Sequence, residues 1–573
     1  MRARLIAWMA VGLVATGTAV SVSCGGSTTQ GSPDGSAPSG SSASGSASGA
    51  GGSGSTGSAS GSEQTTGASS ASAGTGSAAG AGSGATTGSA TGASTGSGSS
   101  GMSSTGTTTS TGASVTLFHK NPTRDGVYVD AKFNKAALMT VHRDTTFSPT
   151  VTGSVYAQPL YLANGPSGGE EFFVATEQNH VVAIDATGKV VWDKTFGAPA
   201  TSGLPCGNIN PLGITGTPVI DSTASPPIIY FDTMTTGPKH MIHAVSLKDG
   251  MTEQPGFPVD VSAKVSGFDS PHQNQRGALL LLNGTLYVPY GGHYGDCDPY
   301  FGWVVGVNVS SGAVSSWHTK GSRGGIWAVG GLASDGTSIF AATGNTEGAN
   351  GTWADGEGIL RLSPALAFGG ATTDYFATTA WSQDDTFDTD LGGTGPILFD
   401  MGGAHFVIAM GKDTNLYVLS RDNLGGVGGA LTTTSVANGT LIGAGAVYAT
   451  SQGIYVAIRV YGSTPKGCPT GGGGNLAAAK ITPGSPPTAK VVWCAAEGSL
   501  GSPMVTTDNA GTTVVWDANT RLYGYDGDTG MKLFAGGASG DAMAAGVTGF
   551  TSPIAANGRI MVGVPGYLYS FKP

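Results

Sequence analysis

The chain has 573 residues, a formal net charge of −10 and only 11% charged residues. No basic cluster stands out, and this excludes nucleic acid as an expected partner, because such binding depends on many Lys and Arg contacts to phosphate. Outside a low-complexity N-terminal stretch, about 460 residues remain, enough for one large core.

The N-terminus has the pattern of an export signal. Arg2 and Arg4 precede an apolar run over residues 5–22, and small residues lead to Cys24. A basic start, a short apolar core and small residues before a cut site are typical of secretory signals. We therefore expect residues 1–23 to form a signal peptide.

A cysteine at the cut position resembles the bacterial lipobox, and this resemblance implies that Cys24 is lipidated. Ser21 departs from the pattern, which prefers Leu or Val there. The alternative is an ordinary signal peptide with an incidental cysteine. Gly25 follows, and lipoproteins without Asp at that position go to the outer membrane as a rule. We expect an exported protein anchored by lipid to the bacterial outer membrane, facing either the periplasm or the cell surface.

Residues 24–114 consist almost wholly of Gly, Ser, Ala and Thr. Such a segment has no apolar surface to bury, so it is predicted to be disordered. We expect a tether that holds a globular domain, residues 115–573, away from the membrane.

A hairpin pattern recurs through this domain. Residues 181–192 read VVAIDATGKVVW, in which two apolar runs flank a Gly-containing turn. Equivalent turn entries recur about every 46 to 62 residues, as repeat architectures do, at Asp185, Ser246, Asn308, Ser363, Ser420, Lys480, Asp526 and Lys572.

Each repeat also contains two earlier strand candidates. In the first repeat these are Val155–Leu162 and Phe172–Thr176. Four short strands per unit correspond to one blade of a β-propeller. The sequence therefore predicts an all-β fold, an eight-bladed propeller of four-stranded blades.

Three runs, VVAIDATGKVVW, LYGYDGDTGMKLF and VVGVNVSSGAVSSW, resemble the repeats of pyrroloquinoline-quinone (PQQ)-type eight-bladed propellers. The resemblance covers residues 127–573. It implies the fold but leaves activity open, because such repeats occur both in quinoprotein dehydrogenases and in non-enzymatic lipoproteins of outer-membrane β-barrel assembly.

The last blade has only three strand candidates before the chain stops. The segment Leu138–Phe147 has strand character. We expect this N-terminal strand to complete blade eight and close the ring, since closure removes two exposed edges.

If the strands of a blade are lettered A to D outward, the B–C and D–A loops share one face. Several of these loops are long, and binding residues concentrate on loops of rigid scaffolds. Amides and Arg there suit sugars, peptides or a carboxylate, and loop-to-loop hydrogen bonding is the alternative role. The candidates are Asn208, Asn210, Gln273, Asn274, Gln275, Arg276, Arg323 and His293.

Four cysteines remain besides Cys24, and an even number in an exported chain suggests disulfides. Cys468 and Cys494 fall at one end of blade six, while Cys206 and Cys297 fall near blades two and three. We favour the pairs 206–297 and 468–494, with reduced thiols as the alternative.

The resemblance also implies roles for individual residues. In quinoprotein alcohol dehydrogenases, a strand-end Thr-Gly-Asn places its Asn on calcium, and Asn345 matches it. Asp388 matches the Asp that serves there as general base, and with Asn345 it is the metal candidate. Trp327, Trp353 and Arg323 are the candidates for holding the flat cofactor. An adjacent Cys-Cys pair and a calcium-binding Glu have no counterpart here.

We therefore expect a non-catalytic, tethered propeller, a monomer, that binds a partner or small ligand on its loop face. The alternative is a PQQ- and calcium-dependent alcohol or sugar dehydrogenase. The non-catalytic function requires no cofactor, whereas the dehydrogenase function requires PQQ and calcium.

Overall fold

The computed structural model describes residues 113–573, apart from 348–350, 471 and 496–500. The expected signal peptide, Cys24 and nearly all of the tether lie outside the described residues. Within the described part, no helix is both long and apolar enough to cross a membrane.

The described chain folds into eight sheets, each built on four antiparallel strands, which confirms the predicted eight-bladed propeller. Strands A to D of blades 1 and 2 are Leu160–Leu162, Glu171–Ala175, His180–Asp185 and Val190–Thr195, then Val219–Asp221, Ile228–Thr235, Lys239–Ser246 and Val259–Asp260. Those of blades 3 and 4 are Leu280–Leu282, Thr285–Gly292, Trp303–Asn308 and Val314–His318, then Ala333–Ser334, Ile339–Thr343, Gly358–Leu362 and Tyr375–Ala377.

The second half repeats this pattern. Blades 5 and 6 contain Ile397–Met401, Ala404–Met410, Asn415–Ser420 and Thr432–Ser435, then Ala446–Thr450, Gly453–Tyr461, Leu476–Thr482 and Thr488–Ala495. Blades 7 and 8 contain Met504–Thr507, Thr513–Ala518, Leu522–Asp526 and Lys532–Phe534, then Ile554–Ala556, Arg559–Val564, Tyr567–Lys572 and, from the N-terminal side, His142–Arg143.

Few helices and short strands supplement the four antiparallel strands of each blade. The α-helices are Val261–Lys264 and Trp381–Phe387, and the 3-10 helices are Ala137–Met139, Ser270–His272, Leu391–Gly393 and Ser539–Asp541. The additional strands are Val127–Val129, Gln273–Asn274, Ser322–Arg323, Thr346–Glu347, Gly426–Val427 and Thr440–Leu441.

The recurring turn between strands C and D has a local cause. In blade 1, the Asp185 carboxylate accepts hydrogen bonds from the backbone N–H groups of Thr187 and Lys189, and Gly188 adopts a φ of 86°. Asn308 and Asp526 hold the corresponding turns of blades 3 and 7 in the same way. Asp and Asn close such turns because their short side chains reach the backbone two to four residues ahead.

Neighbouring blades are joined by Trp side chains on strand D. The Trp192 indole N–H donates to the Leu247 carbonyl of the next blade at 3.1 Å. A Cβ on Gly250 would lie 2.5 Å from this ring, so only glycine fits at that turn. Trp493 makes the equivalent bond to Gly527 at 2.9 Å and packs over Gly530.

The outer strand of blade 8 comes from the N-terminal side of the ring. His142–Arg143 pairs antiparallel with Phe571–Lys572, and Lys572 binds Asp144 at 2.7 Å. Strand structure covers only these two residues of the segment Leu138–Phe147, because the 3-10 helix Ala137–Met139 precedes them.

Residues 115–130, which we name the strap, run along the inside of the ring. Strap groups bond to or beside strand A of every blade, at Tyr161, Ile220, Leu279, Ser334, Leu398, Val447, Val505 and Gly558. One short segment can reach all eight blades only because their first strands converge on a central channel. The strap therefore fills that channel.

Arg124 is the central side chain of the strap and is buried. Its guanidinium donates to the carbonyl oxygens of Phe118, Leu279 and Leu332, each at 2.9 Å. Burial lowers the pKa of Arg124 to about 9. Since Leu279 and Leu332 precede strand A of blades 3 and 4, this one side chain ties the strap to two blades.

Candidate functional site

The floor of the loop face is formed by the strap. Phe118 packs with Ala278, Val329 and Ala444, and Phe550 covers this cluster. These residues come from D–A connections of different blades, so their convergence marks the centre of the face. A ligand entering from this face therefore meets a closed floor.

Arg276 lies directly on this floor. Its guanidinium lies 4.8 Å from the Phe550 ring centroid and 5.1 Å from that of Trp327, and its Nε donates to the Trp327 carbonyl at 3.1 Å. Among the described residues, no carboxylate oxygen lies within ion-pair distance of Arg276. Burial lowers the pKa of Arg276 to about 10, in spite of attraction from Asp296 and Asp390.

A second cation lies over the same indole. Lys412 Nζ is 5.2 Å from the Trp327 ring centroid and binds Asp388 at 2.5 Å and Asp390 at 2.6 Å. Although burial opposes its charge, the two carboxylates raise the pKa of Lys412. Burial and the nearby Asp390 raise the pKa of Asp388 to about 6, against the effect of Lys412.

Asn345 and Asp388 were expected to share a calcium ion. The structure places Asn345 at the end of strand B, where its backbone N–H donates to Asp390 at 2.8 Å. Asp388 caps the helix Trp381–Phe387 in a left-handed conformation and is held by Lys412. Within the described residues, no group of three or more His, Cys, Asp or Glu side chains is arranged to hold a metal ion.

Two buried glutamates near the face were missed by the sequence reasoning. Glu177 follows strand B of blade 1 and accepts from the Gly213 N–H at 2.7 Å, and burial raises its pKa to about 7. Glu357 accepts from the Leu391 N–H at 2.7 Å, and burial together with Asp390 raises its pKa well above the usual range. Lys412 and Phe550 were also missed. Lys412 occupies the loop after strand B of blade 5, the position that Asn345 holds in blade 4, so the repeat register could have found it.

The other cofactor candidates have protein partners. Arg323 binds Asp298 at 2.7 Å and Glu347 at 3.0 Å, which ties two loops together. Trp353 stacks on Tyr375 with ring centroids 4.0 Å apart. Trp327 alone of the three lies beside Arg276.

The remaining candidate binding residues of the loop face differ in their exposure to solvent. Gln273, Asn274, Gln275 and His293 are buried, whereas Asn208 and Asn210 are exposed. In the amide orientation that satisfies both its polar atoms, Gln273 pairs with the backbone of Gly291 and Phe301. His293 bonds to the Pro271 carbonyl, and burial lowers its pKa to about 4.

Two disulfides brace the loops, as predicted. Cys206 in the connection from blade 1 to blade 2 is bonded to Cys297 in the B–C loop of blade 3, and Cys468 is bonded to Cys494 in blade 6. The first bond holds the loop with Asn208 and Asn210 next to the loop that carries His293.

Solved structures with this fold include two quinohemoprotein alcohol dehydrogenases. The enzyme from Comamonas testosteroni aligns with a TM-score of 0.56 at 15% identity, and that from Pseudomonas putida HK5 with 0.55 at 12% identity, each over 80% of both chains. BamB from Moraxella catarrhalis aligns with a TM-score of 0.45 at 14% identity, over 76% of this chain and 98% of its own. No family model and no curated protein matches the sequence. At these identities the likeness shows the fold alone, and the PQQ-like propeller fold is confirmed.

Proposed function

We propose that the loop face binds a small carboxylate-bearing ligand at Arg276 and does so without catalysis. The observation that carries this proposal is the state of Arg276, a cation between two aromatic rings whose guanidinium donates a single hydrogen bond to the described part of the chain. An arginine fork pairs with a carboxylate through two parallel hydrogen bonds, which is among the strongest recognition contacts available to a protein.

The electrostatics support an anionic group at this position. A half-buried charge without an ion-pair partner carries a desolvation cost that Asp296 and Asp390 offset only in part, and the lowered pKa of Arg276 reflects that cost. The neighbouring cation differs, because Lys412 already has two carboxylates within 2.6 Å. An incoming carboxylate therefore gains most at Arg276, while Trp327 and Phe550 offer apolar contact to the rest of the ligand.

The alternative of a PQQ- and calcium-dependent dehydrogenase has one favourable observation, the raised pKa of Asp388 near 6. That carboxylate is held by Lys412, which also binds Asp390, and Asp390 accepts a hydrogen bond from the Asn345 backbone N–H. The Lys412 ammonium group thus lies where the expected calcium ion would have to contact Asp388, and this disfavours the alternative.

Location remains part of the proposal. The export signal, the lipobox-like Cys24 and the low-complexity stretch before residue 113 support a propeller tethered to the outer membrane. In that arrangement the loop face would sample small molecules or a partner outside the cytoplasm.

Calorimetry with citrate and with PQQ, itself a tricarboxylate, tests the proposal. We expect at least one of them to bind wild type and to bind Arg276→Met at least about tenfold more weakly, because the guanidinium is lost while an unbranched side chain remains. Arg361→Met is the matched control, since Arg361 pairs with Asp374 at 2.6 Å in blade 4, and it should bind like wild type.

Two outcomes would overturn the proposal. Equal binding by wild type and Arg276→Met, or no binding of either probe, would remove Arg276 as the anchor. Alcohol- or sugar-dependent dye reduction after addition of PQQ and calcium would establish the dehydrogenase instead.

A further inference from the structure

A cavity distinct from the Arg276 site lies between blades 4 and 5. Its volume is about 420 Å³, within the range of pockets that hold small organic ligands. The side chains that matter here are Phe376, Thr378, Asp384, Asp413, Asn415 and Tyr417. None of them belongs to the Arg276 site.

Two carboxylates line this cavity, each fixed by neighbouring side chains. Asp384 accepts from the Thr378 hydroxyl at 2.6 Å and from the Thr389 hydroxyl at 3.0 Å. Asp413 accepts from the Asn415 amide at 3.2 Å and from the Tyr417 hydroxyl. These bonds hold the carboxylates in place but bring no positive charge.

No cation of the described protein balances these two groups. Neither Asp384 nor Asp413 forms an ion pair within the described residues, and no Lys, Arg or His lines the cavity. Lys412 is adjacent to Asp413 in sequence, yet it binds Asp388 and Asp390. Burial raises the pKa of Asp413, as expected for a carboxylate without a counter-charge.

The other walls are aromatic and backbone. The Phe376 and Tyr417 rings lie 5.1 Å apart at the cavity. The loop between strands C and D of blade 5 crosses to blade 4, where Gly426–Val427 pairs parallel with Phe376–Ala377. Gly428 and Ala430 of this crossing loop line the cavity, so the crossing gives it a wall.

We propose that this cavity binds a small organic ammonium ion. Two carboxylates without basic neighbours favour a cation, and aromatic rings stabilise an alkylated ammonium through cation–π contact. The volume exceeds what a bare metal ion needs, and the lining lacks the three or more acidic, His or Cys side chains of a metal site.

Calorimetry at fixed ionic strength with choline, putrescine and calcium chloride tests this inference on the full-length protein. We expect choline or putrescine to bind, and Asp413→Asn to weaken binding at least about tenfold by removing one charge. Asp422→Asn is the matched control, because Asp422 is exposed in blade 5 and its partner is His405.

A second variant protects the test against loss of folding. Ala430→Trp fills the cavity and leaves both carboxylates in the sequence, and it should abolish binding while the melting temperature stays near that of wild type. Arg276→Met should leave binding unchanged, which separates this site from the loop-face proposal. Absence of binding by both organic cations, binding that survives Asp413→Asn and Ala430→Trp, or binding of calcium alone would overturn the inference.

Discussion

The strap and the loop face meet at the centre of the ring, and each contains one arginine: Arg124 is buried, whereas Arg276 is half-buried. Arg124 of the strap donates to three carbonyl oxygens and is buried on all sides. Arg276 of the loop face makes one hydrogen bond and otherwise contacts two rings. The protein thus accepts hydrogen bonds from all three guanidinium nitrogens of Arg124, whereas most donors of Arg276 remain available to another molecule.

This difference separates a structural charge from a binding charge. A buried donor without a hydrogen-bond partner costs about 1–3 kcal/mol of folding free energy. Buried polar groups that have no other role therefore usually find a partner within the protein. Arg124 follows this tendency, whereas the half-buried Arg276 keeps donors that no described residue accepts from, on the face where long loops and a disulfide-braced rim converge. Local departures from full hydrogen bonding are expected at functional sites.

The largest expected effect comes from removing the strap together with the closing strand. Deletion of all residues up to Phe147 should abolish cooperative thermal unfolding, because strand A of each blade loses a partner and blade 8 loses its outer strand. Deletion of 25–101 is the control and should leave the melting temperature nearly unchanged. Equal melting temperatures for the two deletions would show that the strap and the closing strand do not stabilise the ring.

A single substitution in the strap should have the next largest effect on stability. Arg124→Met leaves three buried carbonyl oxygens without donors and should lower the free energy of unfolding by about 3–5 kcal/mol. Arg276→Met removes only one such bond and should cost less than about 1 kcal/mol. Urea unfolding of both variants measures the difference, and similar losses would show that the two arginines serve the same purpose.

The pH dependence of stability tests burial at the loop face. The pKa of Glu177 is raised from 4.5 to about 7 in the folded protein, so the folded state holds its proton more tightly than the unfolded state. This contribution to stability is complete below pH 4.5 and is lost as pH rises through 7, amounting to roughly 3 kcal/mol.

Glu177→Gln should therefore flatten the stability profile between pH 5 and 8, while Asp422→Asn, an exposed carboxylate, should follow wild type. Urea unfolding at several pH values is the measurement. A Glu177→Gln profile as steep as that of wild type would place the titration elsewhere.

The smallest effect on the folded domain is expected from Cys24→Ser. This variant should melt like wild type, yet it should move from the membrane fraction to the soluble exported fraction if the cysteine carries the lipid anchor. Fractionation with an uncleaved-precursor control is the measurement. Retention in membranes would refute the anchor.

The propeller was predictable because its signal repeats. The C–D turn depends on local chemistry at residues such as Asp185 and Asp526, and it recurs at a nearly regular period. The disulfide partners could also be predicted once the cysteines were assigned to blades, since the loops that carry Cys206 and Cys297 share a face.

The strap was not predictable by the same reasoning. Residues 115–130 occur once, and their partners are spread over the whole chain, from Tyr161 to Gly558. Side-chain pairing on the loop face was equally hidden, because the bonds from Arg323 to Asp298 and Glu347 depend on the paths of three separate loops. Long-range contacts of this kind leave no periodic trace in a sequence.

The strap also sets an order on folding. The strap is synthesised before any blade. Its bond to blade 8, from the Gly558 N–H to Asp130, joins residues 428 positions apart in the sequence. As the chain emerges from its N-terminus, the bond between Asp130 and Gly558 cannot form until the final blade exists. Loop-closure entropy makes such non-local pairing slow. Ring assembly should accordingly end with one concerted late step, and a chain cut short before blade 8 should remain open and prone to self-association.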